Sequence, residues 1–253
     1  MESEISQFDV RQYLKDLQRE ANRCEFTIHE MGWIGSDPLL ALVRDGTSSN
    51  TSLYLSAGIH GNEPAGPLAL LRLLKEGAFP RSLRLCLCPL LNPTGIRAGT
   101  RENGQGLDIN RDYLELETPE AKYHSQWLSQ NVACFSLLIA LHEDCEAAGY
   151  YLYELNRHKV PSPAQSILSS VSPIVGIDHS NVIEGYPAAE SVLHPPLDLA
   201  LRPQWPESCY LLAHGGNLVY TFECPTNCTV ETRIEAHIEA VKAAVRILEN
   251  YRG

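Results

Sequence analysis

The sequence predicts an α/β fold with parallel strands, on three observations. Short apolar runs alternate with helical stripes, which is the pattern of β-α-β units. One run is apolar almost throughout, as a strand buried on both faces of a parallel sheet must be. Three of the runs stop at residues able to bind a metal or move protons, and in such sheets the ligand crevice lies beyond the carboxyl ends of the strands.

The elements follow in order. Val10, Tyr13, Leu14 and Leu17 fall at helical spacing, so an amphipathic helix is expected over Phe8 to Ala21. Thr51 to Ala57 is β-prone and stops at Gly58; after Pro64, tolerated in a first helical turn, comes the helix-like run from Leu68. Leu83 to Leu90 is the next strand, closed by the turn signal Asn92-Pro93-Thr94-Gly95. Arg97 to Asp112 is polar and Gly-rich and is expected to be a loop. Ala133 to Leu141 is the buried strand, ending at His142, and Val160 to Arg202, rich in Pro, Ser and Gly, is expected to form long surface loops. Leu218 to Phe222 is a last short strand ending at Glu223. Val230, Ile234, Ile238, Val241, Val245 and Leu248 then recur at three or four, the clearest helical stripe of the chain.

Composition narrows the function. Lys and Arg number 20 against 31 Asp and Glu, a net charge of -11. That repels polyanions and excludes a general nucleic-acid or anionic-membrane surface. Any anion site must be built locally. A hydrophobic content of 44% with 20% charged residues is ordinary for a globular chain, and 253 residues suit one large domain, 1–253. Eight cysteines fall well below the ~8–10% of a disulfide-held scaffold. The first twenty residues lack a basic segment followed by an apolar one, so no secretory signal is visible and a cytoplasmic location is expected. The longest apolar stretch, 135–141, is far short of the ~20 residues that span a bilayer.

The strand ends carry the chemistry. His60 and Glu63 follow the first run, His142 the buried one and Glu223 the last. Two neutral imidazoles and one carboxylate, with a fourth position left to water, make a catalytic zinc arrangement. His60-Gly61-Asn62-Glu63 is a loop motif, since its candidate ligands lie three apart around a glycine, and by itself it is a weak signal. The loop after the second strand adds Arg101, Asn103, Gly106, Asp108, Asn110 and Arg111. An arginine fork grips carboxylates in two-pronged fashion and suits either substrate anchoring or oxyanion stabilisation.

Together these residues resemble the zinc carboxypeptidase-like metallopeptidases and their aspartoacylase and succinylglutamate desuccinylase relatives. Gly58-Ile59-His60-Gly61-Asn62-Glu63, Asn92-Pro93-Thr94-Gly95, Arg101-x-Asn103, Asp108-Ile109-Asn110-Arg111, Leu141-His142 and Thr221-Phe222-Glu223 occur in the family's order. The resemblance implies a mixed, largely parallel twisted sheet with helices on both faces. It implies one zinc ion held by His60, Glu63 and His142, with Glu223 as general base and Arg101 at the oxyanion, Arg97 competing for that place. Asn110 and Arg111 would hold a free carboxylate, and Asp108 would orient the first histidine. The implied substrate is a peptide or an N-acyl amino acid with a free carboxylate, cleaved at the neighbouring amide. A deacylase of the aspartoacylase type and a non-catalytic metal- or peptide-binding protein of the same fold remain as alternatives.

Two departures stand out. No tyrosine matches the family's substrate-covering one; Tyr186, Tyr210 and Tyr220 are open. Glu143-Asp144-Cys145 follows His142, acids that would either favour a cationic substrate group or sit in solvent. The cysteines lack a structural-zinc spacing and are read as buried thiols. His29, His124, His158, His179, His194, His214 and His237 are read as surface or core residues.

Overall fold

A computed structural model describes residues 8–47, 51–131 and 135–250; residues 133 and 134 of the expected buried strand lie outside them. Helix α1 (Val10–Arg23) buries Val10, Tyr13, Leu14 and Leu17, the stripe read from the sequence, and Asp9 caps it by accepting from Gln12 N–H at 2.9 Å. Strands β1 (Thr27–Ile34) and β2 (Asp37–Arg44) form a hairpin. Then come β3 (Ser52–Ala57), α2 (Ala65–Glu76), β4 (Arg84–Cys88), α3 (Pro93–Ala98), α4 (Pro119–Asn131), β5 (Leu137–Asp144) and β6 (Tyr151–Asn156). Next are α5 (Ala164–Val171), the short strands β7 (Val182–Ile183), β8 (Tyr186–Ala189) and β9 (Val192–Leu193), α6 (Glu207–Ala213), β10 (Leu218–Pro225) and α7 (Val230–Asn250).

Among the described residues the strands make one mixed sheet, in the order β1-β2-β4-β3-β5-β10-β6-β9-β8-β7. Its centre, β4-β3-β5-β10, is parallel throughout, and β3 and β5 are buried almost residue for residue. Alternation sorts their side chains onto two faces. Leu53, Leu55, Leu137, Ile139 and Leu141 pack with α1, α2, α5 and α7. Tyr54, Cys86, Cys88, Leu138 and Val219 pack with α4 and α6 on the other side.

The four strand-like runs read from the sequence are these four central strands. The expected loops differ in part. Arg97 to Asp112 begins inside α3 and ends in a turn of 3-10 helix, Ile109–Arg111. Val160 to Arg202 holds α5 and three short strands that extend the sheet edge, because pairing to β6, rather than local periodicity, orders them.

Parallel register brings the distant motifs together. Ala57 is level with Leu141, and His142 is level with Glu223. Asn92 then ties the second loop to the first: its Oδ1 caps α3 by accepting from Gly95 N–H at 2.8 Å, and its Nδ2 donates to Ile59 O at 3.1 Å. Asn92 is fully buried. Replacing it with alanine is therefore expected to cost about 1–3 kcal/mol, the loss of a cap plus an unsatisfied buried carbonyl. Urea unfolding of the variant against the parent measures this.

Candidate functional site

The candidate site forms where β3, β5 and β10 end. After Ala57 the chain turns through Gly58, whose φ of +65° suits glycine, and delivers His60 and Glu63. His142 closes β5. All three side chains are buried. His60 Nδ1 lies 2.6 Å from Glu63 Oε1, and His142 Nδ1 lies 3.0 Å from Glu63 Oε2. The two imidazoles meet edge to face, 5.0 Å between centroids. One donor atom from each residue falls within 4.8 Å of the others, a group that could hold a metal ion. Two ring nitrogens and a carboxylate oxygen turned toward a common point, with open cavity beside them, fit a zinc-type ion.

Asp108 approaches His60 from the far side. Its Oδ1 is 3.3 Å from His60 Nε2 and accepts from Asn110 N–H at 2.9 Å, while its Oδ2 accepts from Arg101 Nε at 2.9 Å. A carboxylate on the outer ring nitrogen fixes the tautomer and orientation of an imidazole. Burial opposes its charge, but His60 and Arg101 hold Asp108 well below the usual carboxylate range.

Two carboxyl groups of the site are pushed apart. Burial would raise Glu63, yet His142 and His60 outweigh it and hold this group at about 2. Glu223 is pushed up to about 8, chiefly by burial; Glu63 and Asp144 add to the rise, and His142 and Arg101 oppose it. One carboxyl group is thus held ionised while the other is raised toward neutrality, the range in which a group can both take and return a proton.

The surrounding cavity, about 650 Å³, is lined by every site residue expected from the sequence except Asp108. Asn110 and Arg111 reach it from the 3-10 turn. Asn110 Oδ1 accepts from the backbone N–H of Glu207 at 2.9 Å, which fixes the amide. Arg97 pairs instead with Asp37 at 2.8 Å.

The opposite wall was not anticipated. Tyr151, Tyr153 and Leu155 of β6 line it together with Tyr186 and Arg202. Their signal was present as a period of two in Tyr151-Leu152-Tyr153-Glu154-Leu155. Tyr151 donates to Asp144 Oδ2 at 2.9 Å. Of the open tyrosines, Tyr186 faces the cavity, whereas Tyr210 bonds to Ser125 O and Tyr220 to Glu154. His124 and His237 are core residues, and the other five unassigned histidines are exposed.

Residues 49–140 match the family model of the succinylglutamate desuccinylase/aspartoacylase catalytic domain. Over 111 residues the chain is 31% identical to carboxypeptidase 2 of Trichophyton rubrum, a stretch covering 40% of this chain and 20% of that protein. The chain thus spans about a fifth of the length of the curated relatives it matches. A Shewanella amazonensis SB2B structure, provisionally described as a metallopeptidase, is similar with a TM-score of 0.83 at 24% identity, covering 95% of this chain and 93% of that one. This chain has the carboxypeptidase-like metallopeptidase fold. A metallo-carboxypeptidase of Pseudomonas aeruginosa, in complex with (2-guanidinoethylmercapto)succinic acid, is similar at a TM-score of 0.66 and 16% identity, over 94% of this chain and 68% of that one. The resemblance read from the ordered motifs holds, and the carboxypeptidase-like fold with its buried His-Glu-His cluster points to a metal ion.

Gly61 joins the two loops of this carboxypeptidase-like site. A Cβ on Gly61 would stand 1.9 Å from the carbonyl carbon of Gly95 in α3, and Gly61 N–H donates to Arg101 O at 3.3 Å. Gly61→Ala is expected to push the His60 loop off the Arg101 loop and weaken divalent-metal binding at least tenfold. Titration against a competing chelator checks this, with circular dichroism expected to stay like that of the parent.

Proposed function

We propose that the chain, acting as a single catalytic domain, is a zinc-dependent hydrolase that cleaves an amide bond beside a free carboxylate. The observation that carries the reading is the convergence of His60, Glu63 and His142 in one cavity with Arg101, Asn110, Arg111 and Glu223. His60, Glu63 and His142 would hold the ion; when bound, it supplies Lewis-acid polarisation of the scissile carbonyl and activation of water.

The remaining work falls to the chain. Arg111 pairs with the substrate carboxylate and Asn110 adds a hydrogen bond, which fixes the amide relative to the metal ligands. Glu223 takes a proton from the attacking water on its carboxylate oxygen and passes it to the leaving nitrogen. Arg101, held through its Nε by Asp108, offers its remaining N–H groups to the carbonyl oxygen as negative charge develops there. The tyrosine wall of Tyr151, Tyr153 and Tyr186 limits water in the cavity.

A second reading is favoured by a specific observation. The match over residues 49–140 is to the desuccinylase/aspartoacylase catalytic domain, which supports an N-acyl amino acid deacylase using the same residues. The two differ in product. The zinc-loaded protein is expected to release C-terminal residues from a pool of free-carboxylate peptides and N-acyl amino acids, read by mass spectrometry and abolished by chelation. Release of short acyl acids instead assigns the deacylase reading, and no chelator-sensitive product overturns both.

Single substitutions separate the roles. Glu223→Gln is expected to retain zinc and to lose about 10²–10⁴-fold in kcat; near-parental turnover removes Glu223 from the base role. Arg111→Ala is expected to raise KM for carboxylate substrates at least tenfold more than for their amidated analogues. Equal effects on the two sets remove it from anchoring.

A further inference from the structure

Glu143 follows His142 on β5, and the sequence leaves it open whether this acid meets substrate or solvent. It does neither. Its side chain is 0% exposed and points to the face opposite His142, as strand alternation requires. There its Oε1 accepts the backbone N–H of Ala65 at 2.7 Å, and its Oε2 pairs with Arg233 of α7. Its own backbone N–H donates to Glu63 Oε2 at 3.1 Å. The bond to Ala65 fills a gap, because α2 starts after Pro64 with no side-chain cap of its own. A carboxylate at that helix start satisfies a free N–H and meets the positive end of the helix dipole.

We infer that Glu143 and Arg233 form a positioning pair for the metal-binding residues, holding Glu63 and His142 at their mutual distance from behind the sheet. This rests on the reading of His60, Glu63 and His142 as a metal site. Glu63 stands two residues before Ala65, and His142 one residue before Glu143. A single carboxylate therefore ties the backbone just after one ligand to the backbone just after the other. Arg233 is what keeps it there: a carboxyl group buried this deeply is held in place only when both its oxygens find partners, here Ala65 N–H and Arg233. The arginine sits on a 21-residue helix whose inner face, from Ile234 to Leu248, is packed into the larger core, so the tie is referred to the most firmly seated element on that side. His237, one turn along α7 and buried, meets Tyr150 Oη at 3.2 Å. None of these groups touches the cavity through its side chain except by way of Glu63 and His142, so the pair acts on the metal ligands and not on substrate.

The test reads zinc affinity directly, by competition of the full-length chain with a chromophoric chelator, beside the melting temperature of the zinc-free protein. Glu143→Gln keeps an acceptor for Ala65 but sets an amide N–H group against Arg233, and Arg233→Met keeps the stem but loses the cation. Each is expected to weaken zinc binding about ten- to a hundredfold, the usual cost of removing a group that orients metal ligands. Arg233→Lys is expected to recover part of that loss. The double variant is expected to bind no more weakly than the weaker single one, since the two side chains act as a unit. Parental zinc affinity in both single variants with a lowered melting temperature overturns the inference and leaves the site reading standing. A parental chain that binds no zinc overturns the site reading and the inference with it. Should Glu143→Gln fail to fold, the Arg233→Met and Arg233→Lys comparison decides alone.

Discussion

Parallel pairing of the four central strands is the constraint on which the site depends. Parallel strands cannot be joined by a tight hairpin, so the chain must cross over between them, and their carboxyl ends collect at one edge. Residues 60, 142 and 223 are far apart in sequence and become neighbours only there, through the levels Ala57 to Leu141 and His142 to Glu223. The period of two makes the arrangement exacting. A slip of β5 by one residue would turn His142 toward α7 and bring Glu143 into the cavity, exchanging a candidate metal ligand for the acid behind it.

Electrostatics then works against the charge of the whole chain. A protein with a net charge of -11 gathers Arg101, Arg111 and Arg202 around one cavity, so attraction for a carboxylate is local and short-ranged, as screening by salt demands. Acids share the same space without cancelling this. Glu63 is ionised and absorbed by two imidazoles; Glu143 is turned behind the sheet to Arg233; Asp144 is occupied by Tyr151. Glu223 pairs with none of the arginines at hydrogen-bond distance, and burial, with Glu63 and Asp144 adding to it, pushes it up to about 8.

Much of this was legible from the sequence because the informative residues lie at strand ends. The four central strands announce themselves by being apolar on both faces, and the motifs closing them name the candidate ligands. The hairpin β1–β2 was not legible: β1 is an edge strand with His29 and Glu30 exposed and little apolar alternation, so nothing but its pairing with β2 marks it. Strands β7 to β9, two to four residues long, exist because β6 offers an edge, and no local preference encodes that. Tyr151 and Tyr153 were legible in principle. Their alternation needs β6 to be recognised as a strand antiparallel to β10, with Tyr151 level with Glu223. The role of Glu143 was illegible, since its partner Arg233 lies ninety residues away on another element.

The same distance problem is solved a second time beneath the substrate side of the cavity. Asn110 is held by the backbone N–H of Glu207, and the Glu207 carboxylate accepts from Tyr54 at 2.7 Å and Ser56 at 2.9 Å, both on β3. Tyr54 gives its only proton to Glu207, so at its 2.9 Å contact with His124 Nε2 it must accept, and the imidazole carries its proton there. His124 Nδ1 in turn meets Tyr113 Oη at 2.6 Å. Each side chain in this buried chain meets a partner, which is the condition for a polar network in a core to add rigidity instead of strain. Since β3 also leads directly to His60, the residues expected to grip the substrate carboxylate and the residue expected to grip the metal hang from one strand. A carboxylate held at Asn110 and Arg111 is thereby set at a distance from His60 that the sheet itself determines, and the loops between them have only to be tight enough not to change it.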